Sequence, residues 1–227
     1  MTLRSNARVA GIAFLVYIAA ALSGMVLSRQ ASSGEGAAAR LASIASHVPL
    51  MRTAILLELV GCFCALVLAV TLYAITRDVD PDLAMLVLVC RVTEGVIGAV
   101  ALPISLGRLW LATAAPATAP DPATMGALGA YLFQLRSWDS DLPATFFAVG
   151  STLFSYLLLR GRIVPAWLAW LGLFASILVL GCLPLQMVGI LGSPVTDLMW
   201  MPMLAFELLL AFRFIVRGAA IAQRQPA

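Results

Sequence analysis

Between Arg8 and Arg29 lie twenty residues without a charge, and five further stretches of comparable apolarity follow before residue 218. A run of about 20 apolar residues is what an α-helix needs to cross the hydrocarbon core of a bilayer. Hydrocarbon offers the backbone no hydrogen-bond partner, so a spanning segment has to be helical or part of a closed barrel. The composition agrees: 62% of the 227 residues are hydrophobic and 11% are charged, with a mean hydropathy of +1.01, against about 45–50% apolar in soluble domains. The expected fold is all-α, a polytopic membrane protein forming a six-transmembrane-helix bundle as a single domain over 1–227.

The spans read as about 8–28, 50–76, 82–111, 142–160, 164–191 and 196–217. Arg4 and Arg8 ahead of the first, with AALSG inside it, resemble a signal peptide. Its apolar core is longer than the usual 7 to 15 residues or so, which favours a retained helix. The connection RQASSGEGAAARLASIASHVP is polar and rich in small residues, and its second half suits a short surface helix. Asp80 and Pro81 supply the cap and first turn of the third span. Pro103 inside that span removes a backbone hydrogen bond and predicts a kink. After the proline-rich TAAPATAPDPAT, Asp121 and Pro122 start a helix over about 122–138. It reads as an interfacial helix in the long outer loop, or as a cap packed over the bundle. The turn RGR at 160–162 and Pro165 introduce the fifth span, expected to break near Gly181 and Pro184; GSP at 192–194 precedes the sixth.

All 14 basic residues are arginine, and the net charge is +3. No basic cluster or aromatic-interleaved stripe marks a nucleic-acid surface. With the N-terminus inside, Arg4, Arg8, Arg77, Arg160, Arg162, Arg217 and Arg224 fall on the inner side, and Arg29, Arg40, Arg52, Arg108 and Arg136 on the outer side. The outer set is spread over two longer loops, so the bias follows the positive-inside rule. Both termini are expected to be cytoplasmic. No internal repeat relates the two halves.

The ionisable residues inside the spans are Glu58, Arg91, Glu94, Glu207 and Arg213. Each charge at a helix centre costs about 2.5–3.5 kcal/mol on the insertion scale, so these groups must face one another or water. Arg91 and Glu94 are one turn apart on one helix face, and Glu94 and Glu207 both fall near mid-depth, with Glu58 nearer the outer end. If the second, third and sixth spans adjoin, Glu58, Glu94 and Glu207 form an acidic column around Arg91. Carboxylates a few ångströms apart in low dielectric do not all stay ionised, so one proton is expected to reside there. Two readings stand side by side: a ligand- or proton-binding site built from Glu58, Arg91, Glu94 and Glu207, or an interhelical bridge that only fixes packing. Pro103, Pro184 and Pro202, in the outer halves of their spans, suit helices splayed around a cavity that opens outward.

Other chemistry is disfavoured. Cys62, Cys64, Cys90 and Cys182 all lie in apolar runs, and the first two are two residues apart, on different helix faces. Met199 and Met203 in MWMPM share a face, as soft Cu(I) ligands would, but methionine is ordinary core filler. His47 stands alone, and no nucleophile elbow, phosphate loop or dinucleotide fingerprint occurs. No catalytic residue, metal or cofactor is expected.

The segments ARVAGIAFLVYIAAALSG, RVTEG, SYLLLRGRIVPAWLAWLG and MPMLAFELLLAFRFIVRG resemble, in order and spacing, the bacterial membrane family catalogued as domain of unknown function 4386. The resemblance covers nearly the whole chain and implies about six helices in a bacterial inner membrane. It implies no activity. Ala166 stands where that family commonly has a basic residue after the proline of the turn. The function expected is small-molecule binding or proton-linked transport through the Glu/Arg cluster, with the lipid bilayer and a small ligand as partners. The alternative is a structural or accessory membrane subunit without transport or catalysis. A lipid-directed enzyme using acid–base carboxylates stands third.

Overall fold

Each helix start has a local cause. Thr2 accepts a hydrogen bond from the Ser5 amide at 3.2 Å, so the first helix begins five residues before its predicted start and takes in Arg4 and Arg8. Asp80 accepts from the Leu83 amide at 3.2 Å, with Pro81 in the first turn. Asp121 accepts from the Ala123 and Thr124 amides, both at 3.1 Å. These caps satisfy amides that no helical carbonyl can reach.

The computed structural model describes residues 2–115, 120–139, 141–191 and 198–219. Among these residues it is all-helical: α1 (Leu3–Ala31), α2 (Gly36–Ser46), α3 (Val48–Thr76), α4 (Pro81–Thr113), α5 (Pro122–Asp139), α6 (Asp141–Arg160), α7 (Ala166–Met187) and α8 (Trp200–Arg217). Five of them, α1, α3, α4, α6 and α7, are long and apolar enough to cross a membrane. α8 has 18 residues and carries Glu207, Arg213 and Arg217. The predicted break near Gly181 and Pro184 does not occur: α7 runs through both and ends at Met187. Pro184 sits in the last turn and removes only one hydrogen bond there, too little to end a helix in apolar surroundings. Likewise α4 continues through Pro103. The predicted turn at 192–194 lies outside the described residues.

The six long helices close a ring in the order α1, α3, α4, α6, α7, α8 and back to α1. Neighbours run antiparallel. A β-carbon on Gly24 of α1 would stand 3.5 Å from Leu57 near the start of α3. Arg160 at the end of α6 reaches Asp80 before α4, with Nη1 and Oδ2 2.7 Å apart. Gly218, just past α8, lies against Arg4 at the start of α1. At the opposite end α2 packs on α4 and α5, and α5 packs on α4 and α6, so both cover that end of the ring.

The surface is the reverse of a soluble protein's. Val100, Phe174 and Val216 are 71%, 62% and 69% exposed, while Arg91, Glu94, Arg108 and Glu207 are buried. Hydroxyls within the helices are satisfied locally: Thr71, Thr76, Thr152 and Ser176 each donate to the carbonyl four residues back. Both features fit a chain whose solvent is hydrocarbon. Because lipid tails are as apolar as leucine, helices associate through close approach of small residues rather than through hydrophobic exclusion.

Two glycines carry that approach. A β-carbon on Gly11 would fall 2.7 Å from the Ala211 carbonyl oxygen, and one on Gly172 2.5 Å from the Phe206 ring and 2.6 Å from Ser155 Oγ. Gly11→Ala and Gly172→Ala are each expected to destabilise the protein by about 1–3 kcal/mol. Gly61→Ala, where a β-carbon meets nothing within 4 Å, should be neutral or slightly stabilising. Thermal unfolding in detergent checks the contrast.

Candidate functional site: a buried Arg91 cluster beside a cavity

Four helices bring polar side chains to the middle of the ring. Arg91 of α4 is 1% exposed, and Glu94 and Glu207 are each 5% exposed. Arg91 Nη1 donates to Glu94 Oε2 at 3.0 Å, one helical turn along the same face. Its Nη2 donates to Ser151 Oγ of α6 at 3.4 Å and lies 3.7 Å from Glu207 Oε1 of α8. The hydroxyl of Tyr17, on α1, donates to the other Glu94 oxygen at 2.7 Å. The guanidinium carbon lies 4.5 Å from the Phe147 ring centroid and 5.9 Å from that of Phe14, within range for cation–π attraction.

The two carboxyls are held unequally. Both oxygens of Glu94 accept a hydrogen bond, one from a phenol and one from a guanidinium. Glu207 Oε1 has only the 3.7 Å ion pair and no hydrogen bond, and Arg91 Nε is likewise unpartnered. One secure cation thus faces two carboxyl groups. Such a set is electrically neutral only if it holds one proton.

Of the predicted residues, Arg91, Glu94 and Glu207 come together, and Glu58 stands apart from them. Glu58 accepts from Ser105 Oγ at 3.0 Å, and that hydroxyl accepts from Arg108 Nη2 at 3.1 Å. Arg108, which the sequence reading places on the outer side, is a buried residue of α4. Its guanidinium carbon and that of Arg40 of α2 lie 5.5 and 5.3 Å from the Phe133 ring of α5. A separate outer network therefore ties α3 and α4 to the two covering helices. Met199 and Met203 are buried in the apolar core, and His47 bonds locally to Ser43 and Ser46.

A cavity of about 450 Å³ joins the two networks. Tyr17, Glu58 and Glu94 line it together with Ser28 and Arg29 from the last turn of α1. Between them the lining is mostly small: Ala20, Gly24, Gly61, Ala65, Gly95 and Gly98. Small side chains let α1, α3 and α4 approach while leaving open space between the helices.

Sequence reasoning misses Tyr17, Ser151, Phe14 and Phe147. The one available signal is a lone phenol in α1 and one of several hydroxyls in α6, and neither indicates which helix it meets.

A family model described as Domain of unknown function (DUF4386) matches residues 9–218. No curated protein and no solved structure matches the chain.

Arg91→Ala would leave two buried carboxyls facing each other and is expected to cost about 3–5 kcal/mol of stability. Arg91→Lys should recover part of that loss, because an ammonium keeps the charge but not the planar fork. Tyr17→Phe removes one hydrogen bond to a charged acceptor and should cost about 1.5–3 kcal/mol. Denaturation in detergent micelles ranks the three.

Proposed function

The chain belongs to the family described as Domain of unknown function (DUF4386), and we propose that it is a single six-span domain of the bacterial inner membrane that binds a small molecule or exchanges a proton at Arg91, Glu94 and Glu207. α8 serves as the sixth span, its two mid-helix charges turned away from lipid or toward an end: Glu207 is buried, while Arg213 lies one turn from the terminus. With both termini cytoplasmic, Arg4, Arg77, Arg160, Arg162 and Arg217 fall on the inner side, as the positive-inside rule favours. α2 and α5 then lie on the outer side, α5 along the interface.

The observation that carries this reading is the cavity that reaches Glu94. A lock that only fixed packing would have no need of open space against its carboxylate. Tyr17 and Glu94 meet whatever enters the cavity, and Arg91 links Glu94 to Glu207 behind it. The single proton required for neutrality has its place on Glu207, whose facing oxygen accepts no hydrogen bond, since both Glu94 oxygens already accept one. A cationic group entering beside Glu94 would make up the missing positive charge and release that proton; its departure would draw a proton back in. Intramembrane acids of this kind are the usual elements of proton relays. Glu58, on the cavity wall, would meet the same ligand on its way inward.

The second reading is an accessory or structural subunit, favoured by one observation: the cluster bonds α1, α4, α6 and α8 together. The two readings separate by measurement. Glu207→Gln and Glu94→Gln should each leave the melting temperature within a few degrees of wild type, since a neutral amide keeps the shape. In wild type, infrared difference spectra across a pH titration should show a buried carboxylic acid exchanging a proton, and the signal should vanish in Glu207→Gln or Glu94→Gln. A marked drop in melting temperature with no titrating band in wild type would favour the packing lock.

A further inference from the structure

The end of the ring where α7 begins and α8 finishes carries a groove that the Arg91 cluster does not use. A cavity of about 370 Å³ lies there, lined by Pro165, Trp167 and Leu168 of the α7 start and by Phe212, Arg213 and Arg217 of α8. Arg213 and Arg217 are four residues apart, so their side chains share one face of α8. Among the described residues neither has a carboxylate within ion-pair distance, and Arg213 Nε is buried without a hydrogen-bond partner. No acidic residue follows Glu207 in the sequence. Of the acids at this end, Asp78 pairs with Arg77 and Asp80 with Arg160, and Asp82 lies in the first turn of α4.

Two guanidinium groups one turn apart without a counter-ion repel each other. Their surroundings point outward and are apolar: Trp167 is 60% exposed and Phe212 58%. In addition, the Ala166 and Trp167 amides open α7 and have no helical carbonyl to donate to. Positive charge, free amides and an apolar rim with an indole at helix ends match an amphiphile with an anionic head. A soluble anion would have no use for the rim.

We propose that this groove binds an anionic phospholipid, its phosphodiester between Arg213 and Arg217 and its acyl chains along the outward face of α7 and α8 past Phe212. Arginine suits the role because its planar fork grips two phosphate oxygens at once. The lipid fills the space between the two helices and joins their ends. This site is independent of the Arg91 cluster and of any small-molecule binding there.

Native mass spectrometry of the full chain, released from micelles doped with equal phosphatidylglycerol and phosphatidylcholine, tests the proposal. Wild type should retain phosphatidylglycerol over phosphatidylcholine by about 10–30-fold, as two basic residues at a membrane surface supply. Arg213→Gln/Arg217→Gln should reduce that preference to within about twofold of unity, while Arg52→Gln, an exposed arginine at the opposite end, should leave it intact. Should the double variant not fold, Arg217→Glu gives Arg213 a carboxylate partner within the chain and should abolish the preference equally. Equal retention of both lipids by wild type would overturn the proposal, as would an unchanged preference in Arg217→Glu or an equal loss in Arg52→Gln. Displacement of phosphatidylglycerol by millimolar inorganic phosphate would assign the groove to a free anion and reject the lipid.

Discussion

A guanidinium held dry at the centre of a helical ring is the constraint on which the rest of the molecule depends. Arg91 remains charged under any condition in which the protein folds, and hydrocarbon cannot solvate it. The chain has to bring it partners, and these come from four helices: Phe14 from α1, where Tyr17 also holds Glu94, Glu94 from α4, Ser151 and Phe147 from α6, and Glu207 from α8. α1 and α8 are ring neighbours, as are α4 and α6, but the two pairs face each other across the middle. The arginine thus favours those ring orders that bring these four helices together at the middle, since an order that did not would strand the charge. Hydrophobic matching cannot make that selection, because every helix face is apolar enough to meet lipid.

The same logic separates what was legible in the sequence from what was not. Helix existence was legible because hydrocarbon imposes both length and backbone self-sufficiency. Depth was legible too, since rise per residue is fixed, and Glu94 and Glu207 do meet at Arg91. The direction in which a side chain points around its helix was not legible. Glu58 lies at a depth consistent with an acidic column, yet it turns toward Ser105 and Arg108. Tyr17, Ser151 and Phe147 were invisible for a related reason: in an apolar run an aromatic ring or hydroxyl reads as filler until its neighbour is known. Pro184 misled because proline is a strong breaker in water, where a freed carbonyl competes for solvent; in an apolar setting near a helix end, the remaining bonds have no competitor.

The two polar networks divide the molecule along its axis. The central one crosses the ring and holds opposite helices together. The outer one runs from Glu58 through Ser105 to Arg108 and on to Phe133 and Arg40, coupling α3 and α4 to the helices that cover that end. The cavity contacts both, through Glu94 and Glu58. Anything that occupied it would bear on the central lock and on the covering helices together. Arg29 at the α2 end of the cavity and the acids Glu58 and Glu94 elsewhere in its lining give it a polarity along its length.

The count of groups around Arg91 argues against a purely mechanical role. One carboxylate suffices to neutralise one guanidinium, and Glu94 already provides it with better geometry, at 3.0 Å and with a second hydrogen bond from Tyr17. Glu207 adds a second acid at 3.7 Å whose facing oxygen makes no hydrogen bond. For packing alone, a leucine or methionine of similar volume would fill that place without the desolvation penalty of an acid. Under the proposed proton exchange the surplus carboxyl is the group that gives up and retakes the proton, and the arginine between the two acids is the link from Glu94, on the cavity side, to Glu207 behind it.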